Sequence, residues 1–136
     1  MPTTGTARYA GSLRGWFSYL KTEDSYPIAG QAEATVDFGK RTLTLTFTGT
    51  RIDEGTMDVV PVSLTATVSL NSAQLANYAS GSAANDSLSG GISARFFGPV
   101  GASASGTGPA EIGGIFQLQS AGTGPAAIGG FLLRRS

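Results

Sequence analysis

Between Arg41 and Thr48 every second residue is apolar: Leu43, Leu45 and Phe47 alternate without a break with Thr42, Thr44, Thr46 and Thr48. A period of two marks a β-strand, whose successive side chains point to opposite faces. The alternation returns where Val62, Leu64, Ala66, Val68 and Leu70 interleave with Ser63, Thr65, Thr67 and Ser69. It returns again where Ile92, Ala94 and Phe96 interleave with Ser93, Arg95 and Phe97. Each strand has one dry face and one wet face, as a closed or sandwiched antiparallel sheet requires. The inward set is therefore predicted to include Leu43, Leu45, Phe47, Leu64, Val68, Ile92 and Phe96.

Weaker strand patterns fill the rest. Tyr9–Leu20 carries Leu13, Trp16, Phe17 and Tyr19, with the aromatics expected in a barrel interior or belt. Gly30–Phe38 alternates Ala32, Ala34 and Val36 with polar residues, and Ile112–Gln119 and Ile128–Arg135 close the chain. Phe38-Gly39-Lys40-Arg41 leaves only a short corner, hence a hairpin. An eighth strand is placed at Ser72–Ser80, with Leu75 and Tyr78 on one side, because an up-and-down barrel closes with an even strand number. A helical turn beginning at Ser72 is the alternative. The predicted fold is all-β, a single eight-stranded antiparallel up-and-down β-barrel with a side-chain-filled interior, one domain spanning residues 1–136. Glycine, at 20 residues, is about twice its usual share, and charged residues, at 13%, about half theirs. Such a chain would be disordered if apolar residues were scarce, but they make up 40% and fall in short runs.

One segment is duplicated. Gly106-Thr107-Gly108-Pro109-Ala110-Glu111-Ile112-Gly113-Gly114 reappears as Gly122-Thr123-Gly124-Pro125-Ala126-Ala127-Ile128-Gly129-Gly130. A single copy is too little for a solenoid. The pair reads as two strand-start corners of one design: Pro sets the turn, Ile points inward, and the Gly pair lets the strand bend or pack under a bulky neighbour.

The residue inventory excludes most chemistry. Without histidine or cysteine, the usual bases, activated nucleophiles, transition-metal ligands and disulfides are missing. No enzymatic activity and no cofactor are expected. The adjacent acids Glu23/Asp24 and Asp53/Glu54 point apart on an extended chain, and Asp53, Glu54 and Asp58 lack the spacing of a dedicated calcium loop. Haem held through Tyr26, Tyr78 or Met57 is the exception worth titrating. The glycine-rich stretches lack the Lys-Ser/Thr ending of a phosphate loop. With net charge zero and the basic residues scattered, nucleic-acid binding is disfavoured. No apolar run approaches the roughly 20 residues of a membrane span. No leader precedes Pro2, so an exported protein is expected to have lost its signal peptide here.

Gly91-Ile92-Ser93-Ala94-Arg95-Phe96-Phe97-Gly98-Pro99, followed by Ala110-Glu111-Ile112-Gly113-Gly114-Ile115-Phe116, resembles a signature of the β-barrel domain of transferrin-binding protein B. The closing Ile128-Gly129-Gly130-Phe131 with its terminal basic pair is similar to that family's last strand. Tyr26-Pro27-Ile28-Ala29-Gly30 through Thr35-Val36-Asp37-Phe38-Gly39 resembles its repeated hairpin. The link from Pro99 to Ala110 is longer than the family pattern and reads as an extended loop, and the handle domain that precedes the family's barrel is not expected. The resemblance implies a domain exported to the outer surface of a Gram-negative bacterium, as a lipoprotein or the tail of a secreted protein. It also implies recognition by an outer-membrane export translocator. Relatives bind host iron carriers, haem proteins or complement regulators, but the signature residues are structural and carry no binding site with them.

The favoured expectation is thus a monomeric binding module for a host or environmental protein, or an iron- or haem-related ligand. The alternatives are a structural export barrel that binds nothing and a lipocalin-like carrier of a small apolar ligand. A filled interior with a coherent loop patch would favour the protein binder. Successive loops of an up-and-down barrel alternate between its ends, so Lys21–Pro27, Thr50–Val60, Gly81–Asp86 and Ser120–Pro125 should share one end. The Gly39–Lys40 corner, the turn near Asn71 and the Pro99–Pro109 link should share the other. The first end gathers Lys21, Glu23, Asp24 and Asp58 around the expected partner-binding residues Tyr26, Arg51, Asp53, Glu54 and Met57. An aromatic, an arginine and a methionine among mixed charges have the composition of recognition surfaces.

Overall fold

The computed structural model describes residues 2–55, 58–70, 77–103 and 106–136. Eight strands follow one another: β1 (Thr6–Ser18), β2 (Tyr26–Asp37), β3 (Thr42–Ile52), β4 (Leu64–Leu70), β5 (Tyr78–Ala84), β6 (Ser89–Ser103), β7 (Gly106–Gln119) and β8 (Ala126–Arg135). Each pairs antiparallel with the next, and β8 pairs back onto β1 from Tyr9↔Arg135 to Ser18↔Ala126, closing the barrel. All seven residues predicted to face inward are buried. Tyr9, Phe17, Phe38, Phe47 and Phe116 fill the interior together with Leu13, Leu43, Leu45 and Ile112. That filling suits a protein binder better than a small-ligand carrier. Outside, β3 and β4 present the threonines, with Thr44 opposite Thr67 and Thr46 opposite Thr65.

The eighth strand lies further along than the sequence suggested. Only Tyr78, Ala79 and Ser80 of the predicted Ser72–Ser80 segment belong to β5, and Leu75 lies outside the described residues. The inward residues of β5 are Ala79 and Ala83, with Gly81 between them against the Val68 side chain. Residues this small leave no apolar periodicity to read. Tyr78 is not part of the interior: the Arg95 guanidinium lies 5.2 Å from its ring centroid.

The link between Pro99 and Pro109 is not a loop. After a bulge at Gly98, whose φ is +79°, β6 and β7 continue as a hairpin through Val100↔Pro109 to Ser103↔Gly106. This extension closes the lower end of the barrel. β8 runs to Arg135 opposite Tyr9, and just beyond it the Ser136 amide donates to the Arg8 carbonyl at 3.0 Å. Gly106 approaches the backbone of Thr6 and Ala7 there, and Gly108 lies against Tyr9 and Phe38. Tyr9 Oη donates to the Pro109 carbonyl at 2.8 Å, and an Arg135 guanidinium nitrogen donates to the Gly108 carbonyl at 2.6 Å.

The duplicated corners differ from their sequence reading in two respects: Pro109 sets no turn but lies within β7 opposite Val100, and the two isoleucines face opposite ways. Ile112 is buried, whereas Ile128 is 54% exposed. Copies sixteen residues apart keep the same parity, but β7 and β8 pair with Ile112 opposite Leu133 and Phe116 opposite Gly129. In that register the inward positions are even-numbered on β7 and odd-numbered on β8, so the second isoleucine faces out. The glycine pairs do pack under bulky neighbours, and reciprocally: Gly114 lies beneath Phe131, and Gly129 beneath Phe116. Trp16 is likewise on the outer wall, 54% exposed, while its neighbour Phe17 points inward.

Candidate functional site

The β1–β2, β3–β4, β5–β6 and β7–β8 loops share one end of the barrel, and short hydrogen bonds tie them to one another. Lys21 Nζ donates to the Ser120 and Gly122 carbonyls at 2.6 Å each, joining the first loop to the last. Asn85 Nδ2 reaches the Pro61 and Ser63 carbonyls at 2.9 and 3.0 Å, joining the second to the third. The Asn85 side-chain carbonyl also accepts from the Ser87 and Leu88 amides, fixing the β5–β6 turn. The Asp53 amide donates to the Pro27 carbonyl at 2.8 Å. β5 continues through Gly81 to Ala84, so the third loop is residues 85–88 rather than the expected Gly81–Asp86.

A groove of about 390 Å³ opens at this end, lined by Tyr19, Tyr26, Ile52, Glu54, Gly55 and Asp58. An aromatic stack forms one side. Phe17 in the interior meets Tyr19 edge-on at 5.0 Å, and Tyr19 meets Tyr26 edge-on at 6.0 Å. The stack carries the hydrophobic core up to the solvent edge, where Tyr19 and Tyr26 are 43% and 39% exposed. Glu54 and Asp58 supply the polar side, and among the described residues neither carboxylate has an ion-pair partner.

The five expected binding residues are divided by this geometry. Tyr26 and Glu54 line the groove. Arg51 is exposed on the outer wall beneath the rim, opposite Ala29. The cause is a bulge at Gly49, whose φ is +63° and where the β2–β3 register shifts. The extra residue turns Thr50 and Ile52 inward and Arg51 outward. The buried Thr50 hydroxyl is satisfied by donating to the Val62 carbonyl at 3.0 Å. Asp53 accepts from Arg14 at 3.2 Å on the same wall. Met57 lies outside the described residues. Sequence reasoning missed Tyr19 as a rim residue and Arg14 as the partner of Asp53. The signal for Tyr19 was available, since it continues the inward parity of Phe17 past the strand end. Nothing in the sequence linked Arg14 to a residue 39 positions away.

Among the described residues no group of three His, Cys, Asp or Glu is placed to hold a metal ion, and no helix is long and apolar enough to cross a membrane. The shape, charge and exposed aromatics of this end suit contact with a macromolecule.

Comparison with known proteins places this geometry. No curated protein sequence matches the chain. Among solved structures, a mutant of the vaccine antigen transferrin-binding protein B from Haemophilus parasuis superposes with a TM-score of 0.66 at 20% identity, covering 99% of this chain and 27% of that one. Isotype 1 transferrin-binding protein B from serogroup B Neisseria meningitidis gives 0.65 at 19% identity, covering 99% of this chain and 26% of the other. The chain thus spans about a quarter of the length of these proteins. A family model described as the C-lobe and N-lobe β-barrels of transferrin-binding protein B matches residues 1–131, and that family is one of binding proteins, not enzymes. With its sequence matched almost end to end, the chain belongs to the family of transferrin-binding protein B barrels.

Proposed function

We propose that this barrel is a binding module displayed on the outer surface of a Gram-negative bacterium, and that it holds a host protein at its loop end as a monomer. The observation that carries the reading is the family match over residues 1–131, to barrels of a protein described by its binding of transferrin. Transferrin is therefore the first partner to test. Display at the surface is supported by the description of the Haemophilus parasuis relative as a vaccine antigen. Delivery there by an outer-membrane translocator belongs to the same reading. Tyr26, Arg51, Asp53 and Glu54, with Met57 beside them in sequence, are the residues proposed to contact the partner.

The test is surface plasmon resonance of the purified barrel against mammalian transferrin, iron-loaded and iron-free, followed by a serum pull-down. Saturable binding that is lost in the Tyr26→Ala/Arg51→Glu double variant, with an unchanged melting curve, supports the reading. Failure to retain transferrin or any other serum protein would leave the barrel with a structural or export role. Binding that survives the double change but disappears on shortening the Pro99–Pro109 hairpin would move the site to the opposite end.

A further inference from the structure

The chain is neutral overall, with nine cationic and nine acidic residues, but the fold separates them. The groove end, its four loops together with the strand residues beside them, holds Glu23, Asp24, Asp53, Glu54, Asp58 and Asp86 against Lys21, Arg14 and Arg51. Lys21 is turned onto two backbone carbonyls, and Asp53 is taken up by Arg14. The opposite end holds Arg8, Lys40, Arg41, Arg134 and Arg135 against Asp37 and Glu111. The barrel is therefore electrically polarised along its axis, acidic where the loops gather and basic where the hairpin closes it.

Three features of the groove converge on one kind of ligand. Tyr19 and Tyr26 stand edge to face with exposed rings, and an aromatic face attracts a cation through its quadrupole. Glu54 and Asp58 line the same groove, and neither has a cationic partner among the described residues. The surrounding loops carry the excess negative charge. Arg95 shows the same pairing elsewhere on this barrel, with its guanidinium 5.2 and 5.3 Å from the ring centroids of Tyr78 and Phe97. We propose that the groove lined by Tyr19, Tyr26, Glu54 and Asp58 is a socket for a cationic side chain, lysine or arginine, presented by a protein partner. The rings hold its apolar stem and charge, and the carboxylates accept its hydrogen bonds. The inference rests on the binding reading above but not on the partner being transferrin.

The test is an NMR titration of the isotope-labelled barrel with four blocked tripeptides, glycine–X–glycine, where X is arginine, lysine, citrulline or glutamate. Citrulline keeps the shape of arginine and loses its charge. The arginine and lysine peptides should move the Tyr19 and Tyr26 ring resonances in a saturable way, at about millimolar concentration for so small a contact. The citrulline and glutamate peptides should leave them in place. Glu54→Gln/Asp58→Asn should weaken the arginine peptide about tenfold, while Glu33→Gln, remote from the groove, should not. Equal shifts with citrulline, no shift with arginine, or indifference to the double amide change would each overturn the socket. Should the double variant fail to fold, the peptide series on the unaltered barrel still decides. Transferrin retained by a barrel inert to all four peptides would refute the socket and leave the binding reading standing. Arginine peptide bound by a barrel that ignores transferrin would keep the socket and discard that partner.

Discussion

Phe47 lies at the centre of the packing, 5.2 Å from the Phe116 ring and 5.6 Å from the Phe131 ring, and is 1% exposed. Phe47→Ala should therefore cost about 3–5 kcal/mol by denaturant melting; a loss near zero would mean that the interior can collapse around the gap. Tyr9 makes a different demand, because its phenol is buried but polar. Burial opposes ionisation, the charge of Arg135 partly offsets that effect, and the pKa is pushed up to about 12. An unfolded tyrosine ionises near pH 10. The folded state thus holds the proton more tightly, so this contribution is intact below about pH 10 and is lost as the pH rises towards about 12. The loss is on the order of 2–3 kcal/mol. Tyr9→Phe should flatten that alkaline decline and cost about 1 kcal/mol at neutral pH, since the Pro109 carbonyl loses its donor. Stability curves of both proteins from pH 8 to pH 12 test it, and coincident declines would rule Tyr9 out as the source.

Among the elements, close glycine packing constrains the β6–β7 hairpin and β8 where it lies against β1 and β7. A methyl at Gly108 would stand 2.6 Å from Tyr9 Oη and 3.0 Å from Phe38 Cζ. Gly108→Val should lift the hairpin from the barrel's lower end, lowering stability by about 1–3 kcal/mol. Hydrogen exchange should then quicken first around residues 100–109. At Gly129 an added methyl would run into the Arg14 carbonyl oxygen and meet Gly15 Cα and Phe116 Cζ at 2.8 Å each. Backbone cannot swing aside as a side-chain end can, so Gly129→Ala should be the more damaging change, visible as a larger fall in melting temperature. Equal melting points for the two variants would contradict this ranking. The sequence showed the paired glycines and the partner phenylalanines, but not that each pair serves the other's phenylalanine. That exchange depends on the β7–β8 register.

At the scale of the whole molecule, polarity of charge should appear as rate. An acidic loop end steers a basic partner surface during encounter, and salt screens such steering over about 10 Å at moderate ionic strength. For a partner captured at this end, the association rate should fall by about tenfold as salt is raised from low to high ionic strength, with the dissociation rate nearly constant. Stopped-flow measurements across a salt series check this. A salt-independent association rate would place the contact away from the acidic loop end.

The alternation of Leu43, Leu45 and Phe47 with threonine determined by itself the strand type and the inward face. The reason is that a period of two leaves a strand one way to hide its apolar side. The loop end followed from counting alternating hairpins. What the sequence could not decide were the points where parity changes. The Gly49 bulge sends Arg51 to the outer wall, and the β7–β8 register turns Ile128 outward although its sequence twin Ile112 is buried. Strand β5 stayed hidden because alanine and glycine carry no pattern, and the 99–109 link is a strand pair whose Gly106 and Gly108 pack against the start of β1 and Phe38. The socket of Tyr19, Tyr26, Glu54 and Asp58, and the separation of acid from base in a neutral chain, arise only when distant segments are closed into a ring.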